Sequence, residues 1–256
     1  MIFVDTHTHL YTEAFDNDRH EVISKALQKG VTYFLLPNID AASIERMEKV
    51  SREFQPHMFP MMGLHPTSIK KNYELQLQEV FQHLETGNYY GIGEIGIDLY
   101  WDKTLEKEQR QAFRIQCQKA IEKDLPVSIH MRNAFNVVVE EIKALNDSRL
   151  RGVFHCFTGT KEQAKQAIDL GFALGTGGVL TFKNAALDTV LRDIELKHLV
   201  LETDAPYLAP HPFRGKRNES AYIPLIAQKL ADTKGVDLET IAQKTTENAK
   251  ALFNIR

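Results

Sequence analysis

Two histidines separated by a single threonine open the chain's chemistry, in Asp5-Thr6-His7-Thr8-His9. Side chains alternate along extended backbone, so His7 and His9 share a face and can reach one cation together. Such a pair is common by chance, and a lone histidine at a strand end is more often structural than ligating. Four further blocks change that weighing. Gly93-Glu94-Ile95-Gly96 sets a carboxylate between glycines that leave room around it. Ser128-Ile129-His130, Phe154-His155-Cys156 and Glu202-Thr203-Asp204 each end a short apolar run on an imidazole or a carboxylate. Neutral imidazole and ionised carboxylate suit Zn, Mn, Fe or Ni and, with more oxygen and water, Mg. His7, His9, Glu94, His130, His155 and Asp204 are too many for one tetrahedral site. Two divalent ions per chain are expected, with Glu94 as the bridge.

Residues so far apart in the chain need a scaffold that gathers them. Short apolar, β-branched or aromatic runs alternate with longer amphipathic stretches. Strands are predicted at Ile2–His7, Val31–Pro37, Met58–Leu64, Tyr90–Ile95, Pro126–His130, Gly152–His155, Phe172–Gly175 and His198–Thr203. Between them lie helical patterns such as DRHEVISKALQKG, SIERMEKVSREF, LEKEQRQAFRIQCQKAIEKD and TKEQAKQAIDLG, several ending at Gly or Asp as a helix C-cap does. Eight strands, each followed by a helix, give a parallel sheet that closes naturally into a barrel. The predicted fold is α/β, a (β/α)8 TIM barrel, regular or distorted. It forms one domain over residues 1–256, with two extra helices after Glu219. An open doubly wound sheet competes, but no GxGxxG or P-loop follows any strand, and GIGEIG has the wrong spacing and an acidic residue that would repel phosphate. In a barrel, catalytic residues gather at the C-terminal ends of the strands. All five blocks end predicted strands.

The bulk composition narrows the partners. Net charge is −3, so no global basic field draws in nucleic acid. Attraction for a polyanion must come from bound metal or a short basic loop. Cys117 and Cys156 form no CxxC and are expected to be small buried residues. The N-terminus lacks a signal-type pattern and no run nears the ~18 apolar residues of a membrane helix, so a cytoplasmic protein with no membrane partner is expected, a monomer or weak homo-oligomer.

FVDTHTHL at the start, GLHP at 63–66, GEIGID at 93–98, SIHMR at 128–132, FHCFTG at 154–159, LETDAPYLAP at 201–210 and FRGKRNES after it resemble the signature blocks of the TatD family, in order. Those are metal-dependent deoxyribonucleases among the amidohydrolase-like barrels. The resemblance implies the same six ligands, and DNA as substrate, single-stranded or at strand ends, with 3′–5′ exonuclease cutting as the mode the family suggests. Many amidohydrolase barrels bridge two metals with a carboxylated lysine from the fourth strand. Glu94 needs no such modification, which counts against a dihydroorotase or hydantoinase.

Several other residues have two readings. Glu202 shares a strand face with Asp204 and either orients a ligand or the attacking water, or partners a barrel lysine or arginine. His65 ends the third strand and could bond a substrate phosphate, a role the resemblance supports. Asp98 either positions a sugar or base or caps the next segment. Tyr100 and Trp101 can stack bases or simply pack. Arg132 and the Arg214-Lys216-Arg217 cluster bring positive charge near the site or form a solvated loop. His20, His57, His83, His198 and His211 lack partner spacing and are expected to be structural or surface residues. Two divalent ions against two ligating carboxylates leave the pocket locally positive. The expected chemistry is in-line attack of activated water on phosphorus, with Asp204 orienting or deprotonating that water, Glu94 and Glu202 in support, and His65, Arg132 and Arg214 on the substrate. The alternatives are an amidohydrolase or phosphoesterase of small molecules, and a metal-binding partner protein without turnover.

Overall fold

The computed structural model describes residues 1–256. Eight strands run in the order β1 (Phe3–Asp5), β2 (Val31–Pro37), β3 (Met58–Met61), β4 (Ile92–Asp98), β5 (Val127–Arg132), β6 (Gly152–Phe154), β7 (Phe172–Thr176) and β8 (Leu199–Leu201). Helices α1 (Arg19–Gln28), α2 (Ile44–Glu53), α3 (Tyr73–Thr86), α4 (Glu106–Lys123), α5 (Phe135–Leu145), α6 (Lys161–Asp169) and α7 (Leu187–Leu191) fill the connections. After β8 come α8 (Ile223–Lys234) and α9 (Leu238–Phe253), the two expected extra helices. No helix is long and apolar enough to cross a membrane.

All strand pairs are parallel, in ladders β1-β2-β3 and β4-β5-β6-β7-β8. Backbone hydrogen bonds close both seams. Thr6 N–H donates to Leu201 O (3.0 Å) and His9 N–H to Ala205 O (2.8 Å) on one side. Tyr90 N–H donates to Pro60 O (2.9 Å) and Met62 N–H to Gly91 O (3.1 Å) on the other. The sheet is a closed barrel with no free edge.

Two apolar layers follow from strand alternation. Phe34, Leu36, Ile95, Ile97, Ile129, Phe154, Leu174 and Leu201 face outward onto the helices in a large buried cluster. Val4, Leu35, Met61, Val153 and Val200 lie on the opposite face and pack with Ala249, Phe253 and Ile255, so the end of α9 plugs the N-terminal mouth. Residues of that inner parity nearer the C-terminal mouth include Glu94, Ser128, His130, His155 and Glu202. Helix α4 shows how a helix serves the site. Its buried stripe is Gln109, Ala112, Phe113, Gln116, Cys117 and Ala120, at helical spacing. Two of these are polar and grip backbone. Gln109 accepts from Asp98 N–H (2.8 Å) and donates to Asp98 O (3.2 Å), while Gln116 does the same with Leu64 (2.8 and 3.2 Å).

The strand limits differ from those expected in both directions. β1, β6 and β8 stop at Asp5, Phe154 and Leu201, so His7, His9, His155 and Asp204 stand just beyond the ladders. There the backbone bonds leave the regular pattern, with Asp204 N–H donating to His7 O (2.9 Å). Cys156 and Asp204 turn into the left-handed region at φ 46° and 58°. β4 runs instead past Ile95 to Asp98, because its register with β5 continues through Asp98 opposite Arg132.

Candidate metal centre

At the C-terminal mouth the two oxygens of Glu94 divide the site between them. Oε2 lies 3.0 Å from His7 Nε2 and 3.4 Å from His9 Nε2, and Asp204 Oδ1 lies 3.9 and 3.6 Å from those nitrogens. Oε1 lies 2.9 Å from His130 Nδ1, 3.1 Å from His155 Nε2 and 3.1 Å from His65 Nε2. The six residues singled out in the sequence are therefore brought together, and His65 joins them.

The outer nitrogen of each ring decides what the inner one can do. A neutral imidazole carries one proton, so a ring that donates outward keeps a lone pair inward. His7 Nδ1 shares a hydrogen bond with Ser128 Oγ (3.0 Å), and His9 Nδ1–H donates to Tyr11 Oη (3.1 Å), whose own proton goes to Pro37 O (2.6 Å). His130 Nε2–H donates to Asp98 Oδ2 (2.9 Å), which turns Nδ1 inward. His155 Nδ1 faces Glu202 Oε1 at 3.5 Å. His65 is reversed. Its Nδ1 accepts from Thr67 N–H (3.1 Å), so the ring proton sits on Nε2 and is donated to Glu94. Five imidazoles thus converge on Glu94, four with their outer nitrogens toward Ser128, Tyr11, Asp98 and Glu202 and the fifth, His65, reversed.

These residues fit a pair of cations. The imidazoles and the carboxylates of Glu94, Asp98, Glu202 and Asp204 converge, yet every ion pair of those carboxylates is to a histidine and none to lysine or arginine. Glu202 is fully buried; Oε1 accepts from Cys156 N–H, while Oε2 has no donor. Without metal, protons take over part of this role. Burial works to lower the His9 pKa, but Asp204 and Glu94 outweigh it and lift the ring to about 9. Burial likewise opposes a charge on His155, and Glu94 and Glu202 override it, raising that ring well above the usual value. At His7 burial prevails, and His155 adds to it, so that ring stays below its usual range.

The sequence profile of the TatD related DNases matches residues 4–254. The chain belongs to the TatD family. Its relatives include the uncharacterized metal-dependent hydrolase YabD of Bacillus subtilis, 38% identical over the whole of both chains. The 3′-5′ ssDNA/RNA exonuclease TatD of Pantoea ananatis is 31% identical, covering 98% of this chain and 99% of that protein. Among solved structures, the TatD homolog YjjV of Escherichia coli K12 superposes with a TM-score of 0.93 at 29% identity, over 99% of this chain and 98% of that one. This TatD-family chain is accordingly placed among the metal-dependent hydrolases.

The remaining expected site residues are placed as follows. His65 was expected at a substrate phosphate, but its Nε2–H is engaged by Glu94. Glu202 meets His155 and the Cys156 N–H rather than a lysine or arginine. Asp98 combines two jobs, bonding His130 and accepting from Tyr100 N–H (2.9 Å) and Trp101 N–H (3.2 Å). Arg132 lies 3.9 Å over the Tyr100 ring, and Arg214 lies 3.9 Å over Phe182. Arg217 is committed to Asp18 (2.5 Å). His20, His57 and His83 bond Glu53, Thr32 O and Glu48, away from the centre. Asp5 and Asn218 escaped the sequence reading. Asp5 accepts from Thr203 N–H (2.9 Å) and Thr203 Oγ1 (2.6 Å), tying β1 to the turn that carries Asp204, and burial pushes its pKa up to about 7 against these bonds. Asn218 donates to Thr203 O (2.7 Å) and Tyr207 O (2.6 Å), holding the same turn from the other side. For Asp5 there was a usable signal, an acid two residues before His7; for Asn218 the one signal was its place in the FRGKRNES block.

Proposed function

We propose that the chain is a phosphodiesterase of nucleic-acid strands, a deoxyribonuclease working with two divalent ions. His7, His9 and Asp204 would hold one with Glu94 Oε2, and His130 Nδ1 and His155 Nε2 the other with Glu94 Oε1. The observation that carries this reading is that one buried carboxylate divides four imidazoles between its two oxygens, His7 and His9 at Oε2 and His130 and His155 at Oε1. Bound divalent ions supply Lewis acidity toward a phosphoryl oxygen and lower the pKa of a coordinated water to about 7. Asp204, held by the Asp5 and Asn218 contacts to its turn, orients the attacking water and accepts its proton. Glu202 fixes His155, and His65 steadies Glu94 from outside. Arg132 has no acidic partner and can hold a flanking phosphate, positioning without reading sequence. The relative named as a 3′-5′ ssDNA/RNA exonuclease supports a nucleic-acid strand as substrate.

The test is cleavage of end-labelled single-stranded DNA by purified protein with Mg²⁺ or Mn²⁺. Loss of cleavage on chelation, its return on adding metal, and a deep loss in Asp204→Asn are expected. Metal-loaded protein that leaves DNA and RNA strands intact while turning over a small phosphoester or cyclic amide would overturn the reading.

A further inference from the structure

The chain has 14 Phe, 8 Tyr and 1 Trp. Only Tyr100, Trp101 and Tyr207 are exposed, and all three stand just after a strand end that carries candidate site residues. Single exposed apolar side chains need no explanation. Two of them packed together against a cation beside a polar centre do. The Tyr100 and Trp101 rings meet edge to face, with centroids 5.0 Å apart at 87°. The Arg132 guanidinium carbon lies 3.9 Å from the Tyr100 centroid and 5.2 Å from that of Trp101. Trp101 nevertheless remains 69% exposed, leaving most of its indole uncovered.

This group is anchored to the candidate metal centre. One oxygen of Asp98 takes both the Tyr100 and Trp101 N–H groups, and the other takes His130 Nε2–H. Leu99 N–H also donates to Arg132 O (2.9 Å), tying the loop to the end of β5. The rings and the guanidinium are therefore set at a fixed place relative to His130. An open aromatic face beside an unpaired guanidinium is the complement of a nucleobase joined to its phosphate.

We propose that Tyr100, Trp101 and Arg132 form a base-stacking subsite beside the centre, which takes an unpaired nucleobase adjoining the scissile phosphate and thereby selects single strands over duplex. A base pair inside a duplex has both faces covered by its neighbours in the stack, whereas an unpaired base is free to lay a face on Trp101. The inference rests on the phosphodiesterase reading above, because it names what flanks the bond that is cut.

Trp101 is the only tryptophan, so the subsite carries its own reporter. Metal-loaded protein is titrated with a short oligodeoxyadenylate whose phosphorothioate linkages resist hydrolysis. The same strand with its bases removed, and the strand in duplex, are titrated in parallel. Tryptophan emission is excited at its red edge to leave the tyrosines dark. The base-bearing single strand is expected to quench Trp101 and to bind about 5- to 150-fold more tightly than the abasic strand, the range for one base stacked on one ring. In Trp101→Ala, followed by competition against a labelled strand, that ratio collapses toward one, and Trp101→Phe recovers most of it. Equal affinity for base-bearing and abasic strands, or an unchanged ratio in Trp101→Ala, overturns the subsite. Tighter binding of duplex overturns it as well. Cleavage of the abasic phosphodiester strand separates the two levels. If cleavage persists without stacking, only this inference falls; if the protein neither binds nor cuts any strand, the phosphodiesterase reading falls with it.

Discussion

Asp98→Asn tests the proton logic of the centre most directly. Asp98 is buried and serves three donors, His130 Nε2–H at 2.9 Å and the N–H groups of Tyr100 and Trp101 at 2.9 and 3.2 Å. Asparagine offers one carbonyl oxygen for both sets. Whichever way its amide turns, either His130 or the loop faces an N–H, and His130 loses its charged acceptor in both cases. A hydrogen bond to a charged group contributes about 1.5–3 kcal/mol. Carried entirely into holding His130 with Nδ1 inward, that loss corresponds to about 10- to 150-fold weaker metal binding on the Glu94 Oε1 side. Loss of an outer-shell partner typically costs 10–100-fold in metal affinity or activity, which agrees. Ser128→Ala is the graded control, because it removes a neutral acceptor from His7, about 0.5–1.5 kcal/mol or roughly 2- to 10-fold. The assay is competition for Mn²⁺ or Zn²⁺ against a chromogenic chelator, with the metal-to-protein ratio measured independently. Two ions bound per Asp98→Asn chain at wild-type affinity would refute the reasoning. So would a larger loss in Ser128→Ala than in Asp98→Asn.

Three further outcomes follow from the same geometry. In chelated protein the His9 imidazolium, raised to about 9, stabilises the fold fully below the unfolded value near 6.5 and loses that contribution as pH rises through 9. Metal binding strengthens over the same window as the proton leaves, so the gap in Tm between metal-loaded and chelated protein should widen from pH 6.5 to 9; a gap that narrows contradicts the assignment. Gly175→Ala would set a Cβ 2.3 Å from Glu202 Oε2, forcing that side chain off His155 and Cys156. A folded protein by circular dichroism with kcat/KM down about tenfold or more is expected, and wild-type turnover would show that Glu202 has no part. Phe154→Ala empties a fully buried site in the outer layer and should cost about 3–5 kcal/mol in chemical denaturation, a loss below about 1 kcal/mol being incompatible with the packing.

The barrel was legible because strand alternation and helix periodicity write different patterns. β2, at Val31–Pro37, matches its expected limits because ladders to β1 and β3 reach both its ends, Val31 opposite Phe3 and Pro37 opposite Met61. The ends of β1, β6 and β8 were overrun because His7, His155 and Thr203 keep an extended pattern in the sequence after the ladder has stopped. The ligand candidates could be found by residue type, since buried imidazoles and carboxylates at strand ends need a partner. Which nitrogen faces inward could not. That depends on contacts such as Ser128 to His7 across 121 residues, which no spacing reveals. His65 was harder still, because its reversal comes from Thr67 N–H, a local bond that exists only once Pro66–Ser68 forms its short 3-10 turn. Charge alone marked Arg214 as a phosphate contact, while the ring of Phe182 beneath its guanidinium had no signal in the sequence.

The charge balance of the centre also needs restating. Counting only Glu94 and Asp204 against two divalent ions leaves two positive charges, enough to draw a phosphodiester to an acidic protein. The structure adds Asp98 and Glu202, both buried and ion-paired only with candidate ligand histidines. With two divalent ions bound as proposed, four carboxylates would match four positive charges, and the loaded site would be close to neutral. A neutral centre cannot gather a polyanion from a distance, but it can still act where charge develops, since fixed donors in a dry site need no reorganisation. Long-range attraction is thereby separated from catalysis and passes to cations outside the ligand set. Arg132 and Arg214 are such cations, for neither forms an ion pair, whereas Arg217 is neutralised by Asp18. Of the two, only Arg132 is joined through its own strand to a candidate ligand, two residues from His130. A strand held there by base and phosphate meets a centre whose charges already cancel, so its affinity should come mainly from contact and only weakly from field.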